Sequence, residues 1–146
     1  METLLDRFLS YVRIDTQANE ASNSHPSTAR QKELAGLLAK ELEELGLSNI
    51  TINDKAYLMA EVPANIDKDL PVVGFIAHLD TSPDVSGKDV QPQIFENYDG
   101  QDLILNQAQN LILRVDQYPE LGSHIGQTII TSDGTTLLGA DNKAGV

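Results

Sequence analysis

The sequence predicts an α/β domain built on a mixed sheet. Three observations carry that expectation. Two amphipathic helical runs come first, strand-like runs follow, and one of these, "VVGFIA" at 72–77, is apolar throughout and partly β-branched. Such a run reads as a strand covered on both faces, which requires a layered fold.

Leu4, Leu5, Phe8, Leu9 and Val12 recur at helical spacing with Asp6, Arg7 and Ser10 opposite, so an amphipathic helix opens the chain. The polar stretch "TQANEASNSHPS" suits an ordered loop, with Ser24 or Ser27 available to cap the next helix. That helix is strongly marked: Leu34, Leu38, Leu42 and Leu45 form one stripe, Lys40, Glu41, Glu43 and Glu44 lie outside it, and Gly46 fits the residue just past its end. "NITIND" and "AYLMAEVP" read as two short strands joined by a turn near Asp54 and Lys55.

A polar connector between Pro63 and Pro71 leads into the 72–77 run, and is too short to be an interdomain linker. After the loop "TSPDVSGKD" come extended segments around "PQIFENY" and "DLIL". "TIITSDGTTLLG" holds two strand-like runs around Asp133-Gly134, the pairing that favours a type I′ hairpin. "NKAGV" then reads as the first turn of a helix.

Composition narrows the function classes. A chain of 146 residues with 40% hydrophobic content fits one domain or part of one. Twenty-two acidic residues against ten basic give a net charge of -12, and no basic stripe exists for a phosphate backbone, so nucleic acid is not an expected partner. Acidity is chiefly a matter of solubility, though it also suits a cleft that holds a cation. The absence of Cys excludes disulfides, thiolate zinc sites and thiol chemistry. "METLLDRFLSYVR" has no uninterrupted apolar core of a signal sequence and no window approaches a membrane span, so a cytoplasmic protein without a membrane partner is expected.

The chemistry-bearing residues collect at the ends of apolar runs. His78 follows the 72–77 run, and open α/β sheets gather ligands beyond the carboxyl ends of their strands. Asp80, two residues on, points to the same side if the backbone stays extended. A carboxylate there would fix the imidazole tautomer and aim the other ring nitrogen at a metal; the alternative is a His at a strand end beside an Asp that starts a turn. Asp141 ends a second apolar run, "TTLLGAD", and reads either as another ligand in the same crevice or as a helix N-cap. His25 lies in a polar loop beside Pro26, and His124 has no acidic neighbour at ligand spacing. No nucleophile elbow, phosphate-binding glycine loop or dinucleotide fingerprint is present, so metal-assisted chemistry is the class with positive support.

"GFIAHLDTSPDVSG", "GQTIITSDGTTLLGADNKAG" and the loop "DTQANEASNSHPST" together resemble the N-terminal portion of the peptidase T family, tripeptide aminopeptidases among the co-catalytic zinc peptidases. The resemblance covers essentially the whole chain in order and spacing. It implies that 1–146 is the N-terminal part of a zinc-peptidase catalytic domain, an incomplete fragment, with the rest of that domain and an inserted second domain absent. It also implies that His78 binds one zinc, that Asp80 orients it and that Asp141 bridges two zincs. Relatives commonly read Asp-Asp-Lys where this chain has Asp141-Asn142-Lys143, which leaves the bridging acid and removes a charge beside it.

The implied reaction of the complete enzyme is release of the N-terminal residue from a tripeptide with a free amine, by a water activated between two zinc ions. The implied general base, a Glu pair, and the remaining ligands lie outside this chain. The fragment alone is expected to bind zinc weakly, to be inactive and to self-associate through surface exposed by truncation. The alternatives are another member of the zinc family, a dipeptidase, carboxypeptidase or acylamino-acid deacylase, and a non-catalytic α/β binding module.

Overall fold

The structure is a computed structural model that describes residues 3–146. Met1 and Glu2, the start of the segment read as lacking a signal sequence, lie outside the described residues. In chain order the elements are α1 (Leu4–Val12), α2 (Gln31–Glu44), β1 (Ser48–Ile52), β2 (Leu58–Glu61), β3 (Gln93–Phe95), β4 (Leu103–Asn106), β5 (Leu111–Leu113), a 3-10 turn (Pro119–His124), β6 (Ile129–Thr131) and α3 (Ala140–Lys143). Helices and short antiparallel ribbons make this a mixed α/β protein. Among the described residues no helix is long and apolar enough to cross a membrane.

The chain forms two compact units. One holds the described residues up to Asp15 together with Asp84–Gly139. Its first helix, α1, starts at a capping box in which Asp6 N–H donates to Thr3 Oγ1 at 3.1 Å and Thr3 N–H returns a bond to the Asp6 carboxylate at 3.0 Å. The Thr3 hydroxyl also donates to the Asp6 carboxylate at 2.6 Å, and this bond first, with the one from Thr3 N–H, favours the ionised acid and holds the Asp6 carboxyl below its ordinary value. β3 pairs antiparallel with β6, setting Ile94 opposite Ile130, and β4 pairs with β5, setting Leu103 opposite Leu113. The core of this unit is Tyr98, Leu103 and Leu121, with Phe95, Leu105, Leu113 and Ile129 packed on it. Burying the Tyr98 ring is tolerable because its hydroxyl donates to the Gln101 carbonyl at 2.7 Å.

The other unit holds Thr16–Pro83 with Ala140–Val146. Here α2 packs on the β1–β2 ribbon, burying Leu34, Ala35 and Leu38. Gly46 takes φ +79 just past the helix end, as its place in the sequence predicts. The expected turn joins β1 to β2: Asn53 Oδ1 accepts from the N–H groups of Lys55 and Tyr57, both at 3.0 Å.

Four expectations need correction. The caps foreseen at Ser24 or Ser27 are not used, since Arg30 is the cap residue of α2 and makes no side-chain cap bond. Lys32 and Glu33 donate instead to the carbonyls of Ala29 and Arg30, so the entering turn satisfies the first N–H groups itself. The Asp133-Gly134 hairpin does not form, because a type I′ turn needs positive φ at both residues and only Gly134 has it, at +78. Ser132 Oγ accepts from Gly134 N–H and donates to the Thr136 carbonyl, turning the chain through a side chain while β6 pairs with β3.

The single mixed sheet is replaced by three two-stranded antiparallel sheets, and the one parallel pairing among the described residues is an isolated bridge between Gln17 and Thr81. The 72–77 run is not a covered strand. It has no ladder, and Val72, Phe75 and Ile76 are 97%, 96% and 99% exposed. β1 and β2 pair only with each other, so nothing among the described residues supplies the flanking strands that an apolar run of this kind needs.

Candidate metal site

Three of the sequence-selected residues meet within the second unit. His78 and Asp80 flank Leu79 in a segment outside any ladder, and their side chains meet. His78 Nδ1 lies 3.3 Å from Asp80 Oδ1, and its Nε2 lies 3.0 Å from Asp141 Oδ2. Asp141 stands in the first turn of α3, into which the chain bends at Gly139 with φ +71. Neither apolar run is a strand here, so the expected strand-end placement is replaced by a loop and a single helical turn. The acid lies inside α3, not at an N-cap position.

The segment is fastened at several points. Beyond Asp80, Thr81 N–H donates to the Thr16 carbonyl at 3.2 Å and the Thr81 carbonyl accepts from Ala18 N–H at 2.9 Å. At Leu79, the carbonyl accepts from the Asn142 side-chain amide at 2.8 Å. Gly145 allows close approach as well: a Cβ there would stand 3.3 Å from the Asn142 carbonyl oxygen and 3.8 Å from the Ala77 methyl.

Both ring nitrogens of His78 face carboxylate oxygens, an arrangement fully satisfied only when the ring is protonated and both N–H groups donate. Partial desolvation pulls the His78 pKa down, but hydrogen bonds to Asp141 and Asp80 and the charges of both acids outweigh it, and the net shift is upward from the ordinary 6.5. The cluster is open to solvent, with side-chain exposures of 55% for His78 and 92% for Asp141. It can therefore hold a proton or a cation between one imidazole nitrogen and one carboxylate. Among the described residues there is no group of three or more His, Cys, Asp or Glu arranged to hold a metal.

The remaining histidines have other surroundings. His25 sits in an exposed loop, and His124 pairs through Nδ1 with Gln127 Oε1 at 3.0 Å. Sequence reasoning noticed Asn142 only as a missing charge and gave it no structural part. An amide directly after a site acid, at the start of a helix, was the signal available.

No family model matches the chain. It is 56% identical over 146 residues to peptidase T of Clostridium novyi (strain NT), covering 100% of this chain and 36% of that relative. It is 54% identical over 143 residues to peptidase T of Bacillus velezensis, covering 98% and 35% of the two, and 56% identical over 145 residues to peptidase T of Bacillus mycoides, covering 99% and 35%. The likeness to peptidase T thus runs the length of this chain, which spans about a third of the length of these curated relatives.

Proposed function

We propose, from that likeness, that the chain provides two metal donors and an orienting carboxylate to a dizinc aminopeptidase that releases the N-terminal residue of tripeptides. The observation that carries the reading is His78, held between Asp80 on Nδ1 and Asp141 on Nε2. A carboxylate on the far nitrogen of an imidazole is the usual partner of a metal-binding histidine.

The donor set fits zinc. Cys is absent, and zinc readily accepts imidazole and carboxylate together. Two ligand atoms about 2.1 Å from one tetrahedral ion would stand roughly 3.4 Å apart, so the Nε2 to Oδ2 spacing of 3.0 Å would open slightly to admit one. When bound, zinc would supply a water of lowered pKa and would polarise the scissile carbonyl.

Each residue of the chain has a distinct task in this reading. Asp80 keeps the proton on Nδ1 of His78, which leaves Nε2 free to donate its lone pair. Asp141, exposed at the start of α3, contributes a carboxylate with two oxygens and so can serve two ions. The net charge of -12 over the chain suits a substrate that carries a free N-terminal ammonium. Catalytic zinc usually has three protein ligands and a water, so a chain with two donors is expected to bind zinc weakly and to hydrolyse nothing by itself.

The test is peptide release by the complete protein, with trialanine and N-acetyl-trialanine compared before and after chelation. Zinc-dependent cleavage of the unblocked peptide alone supports the reading. Equal cleavage of both peptides, or activity indifferent to chelation and to His78→Ala, overturns it.

A further inference from the structure

We infer that Asn142 is a positioning residue that locks the His78–Asp80 segment against the helix turn carrying Asp141. The inference rests on the metal-site reading above for its functional consequence, but the lock itself is a matter of geometry.

His78 lacks any other nearby backbone anchor on its N-terminal side. Residues 71–78 form no ladder and make no backbone–backbone hydrogen bond among the described residues, so the exposed run before His78 leaves that side chain without a fixed base. The first tie after it is the Leu79 carbonyl, which lies between the two residues that matter, and its partner is the Asn142 amide at 2.8 Å. The next is the Thr81 bridge to Thr16 and Ala18. Asn142 is itself 2% exposed and adjacent to Asp141. A buried amide that donates one well-made bond has little freedom to swing, and breaking the bond would leave its N–H group and a carbonyl poorly satisfied.

The choice of Asn has a chemical reason. A carbonyl oxygen only accepts, so the residue facing it must donate, and an ionised Asp cannot. In place of Asn142 a carboxylate would set two acceptors against each other and add a second negative charge beside Asp141. The amide therefore tethers the loop to α3 without altering the charge at the site. Through Leu79 it sets the distance between His78 Nε2 and Asp141 Oδ2, which would decide how well one ion can be shared.

Two measurements on the chain test this. In the unmutated, metal-free chain, NMR should detect scalar coupling across the hydrogen bond from the Asn142 side-chain nitrogen to the Leu79 carbonyl carbon, and ring-proton contacts from His78 to the Asp141 β-protons. In Asn142→Asp and Asn142→Leu those ring contacts should vanish while amide shifts in α2 and β1 stay unchanged, and zinc affinity should fall by about tenfold or more. Absence of the coupling in the unmutated chain overturns the lock even if neither variant folds. Retention of the His78 to Asp141 contacts in a folded variant overturns it too. If the unmutated chain shows the coupling but peptide release by the complete protein is indifferent to chelation, the metal reading fails and the lock stands.

Discussion

His78 and Asp141 are separated by 63 positions in sequence, yet Nε2 of one lies 3.0 Å from Oδ2 of the other. With Asp80 on the opposite nitrogen, the ring is favoured in its charged form, and its pKa is raised. A group whose pKa is higher in the folded state stabilises that state fully below its unfolded value, about 6.5 for histidine, and the contribution is lost as pH rises through the folded value. The metal-free chain should therefore lose stability as pH rises from about 6.5 through the folded pKa. Urea denaturation at a series of pH values, compared with His78→Gln, checks this. The stability difference between the two proteins should be largest in acid and shrink towards alkaline pH; a difference independent of pH would contradict the geometry.

A proton between imidazole and carboxylate occupies the position that a metal would need. Zinc should displace it, so calorimetric titration in buffers of different ionisation enthalpy should register proton release, with weak affinity that improves as pH rises. Asp80→Asn keeps the shape but weakens the hold on the ring, and should cost roughly 10–100-fold in affinity. His78→Ala should abolish binding. Equal affinity for the Asp80→Asn variant and the unmutated chain would remove Asp80 from the orienting role.

Local features of this fold are legible in the sequence wherever a short-range physical rule fixes them. The Leu34–Leu38 stripe, Gly46 past the helix end and the Asn53 turn all follow from contacts within a few residues. Sheet membership is different, because it depends on a partner. The pattern of 72–77 records that the run should be covered but not what covers it, and its exposure reflects the lack of flanking strands among the described residues. "SDG" misleads for a related reason: Ser132 closes the turn through its hydroxyl, which a dipeptide rule for hairpins ignores.

At the candidate site, the pairing of His78 with Asp80 could be anticipated from a period of two; the arrival of Asp141 is one of two readings of the apolar run it ends, and the resemblance implies it as well. Asn142 is legible in the sequence as a missing charge beside a site acid but not as a tether, because its bond is to a main-chain carbonyl and sequence does not show which carbonyls lack partners.

Leu34 is completely buried where α2 meets the ribbon. Leu34→Ala should cost about 2–5 kcal/mol, combining lost transfer energy with the cavity left behind. Leu45, on the same sequence stripe but at the end of the helix, is largely exposed, and Leu45→Ala should change stability by less than about 1 kcal/mol. Urea midpoints of the two variants distinguish packing from pattern. Similar losses for both would mean that the stripe is buried more evenly than the structure describes.

The run at 72–77 combines β-branched and aromatic residues with no charge and no internal proline, and its backbone has no ladder partner. Such a segment is a template for strand pairing between molecules, and the chain should self-associate with rising concentration. A net charge of -12 opposes this at low ionic strength, so added salt should strengthen association by screening the repulsion. Phe75→Lys places a charge in the middle of the run and should shift the sedimentation profile towards monomer. Ile104→Lys is the control, since Ile104 is exposed too but lies in a strand already paired with β5. Each lysine lowers the net negative charge and so by itself would favour association; if Phe75→Lys alone reduces it, the unpaired run is the contact, and an equal reduction by both variants would show that it is not.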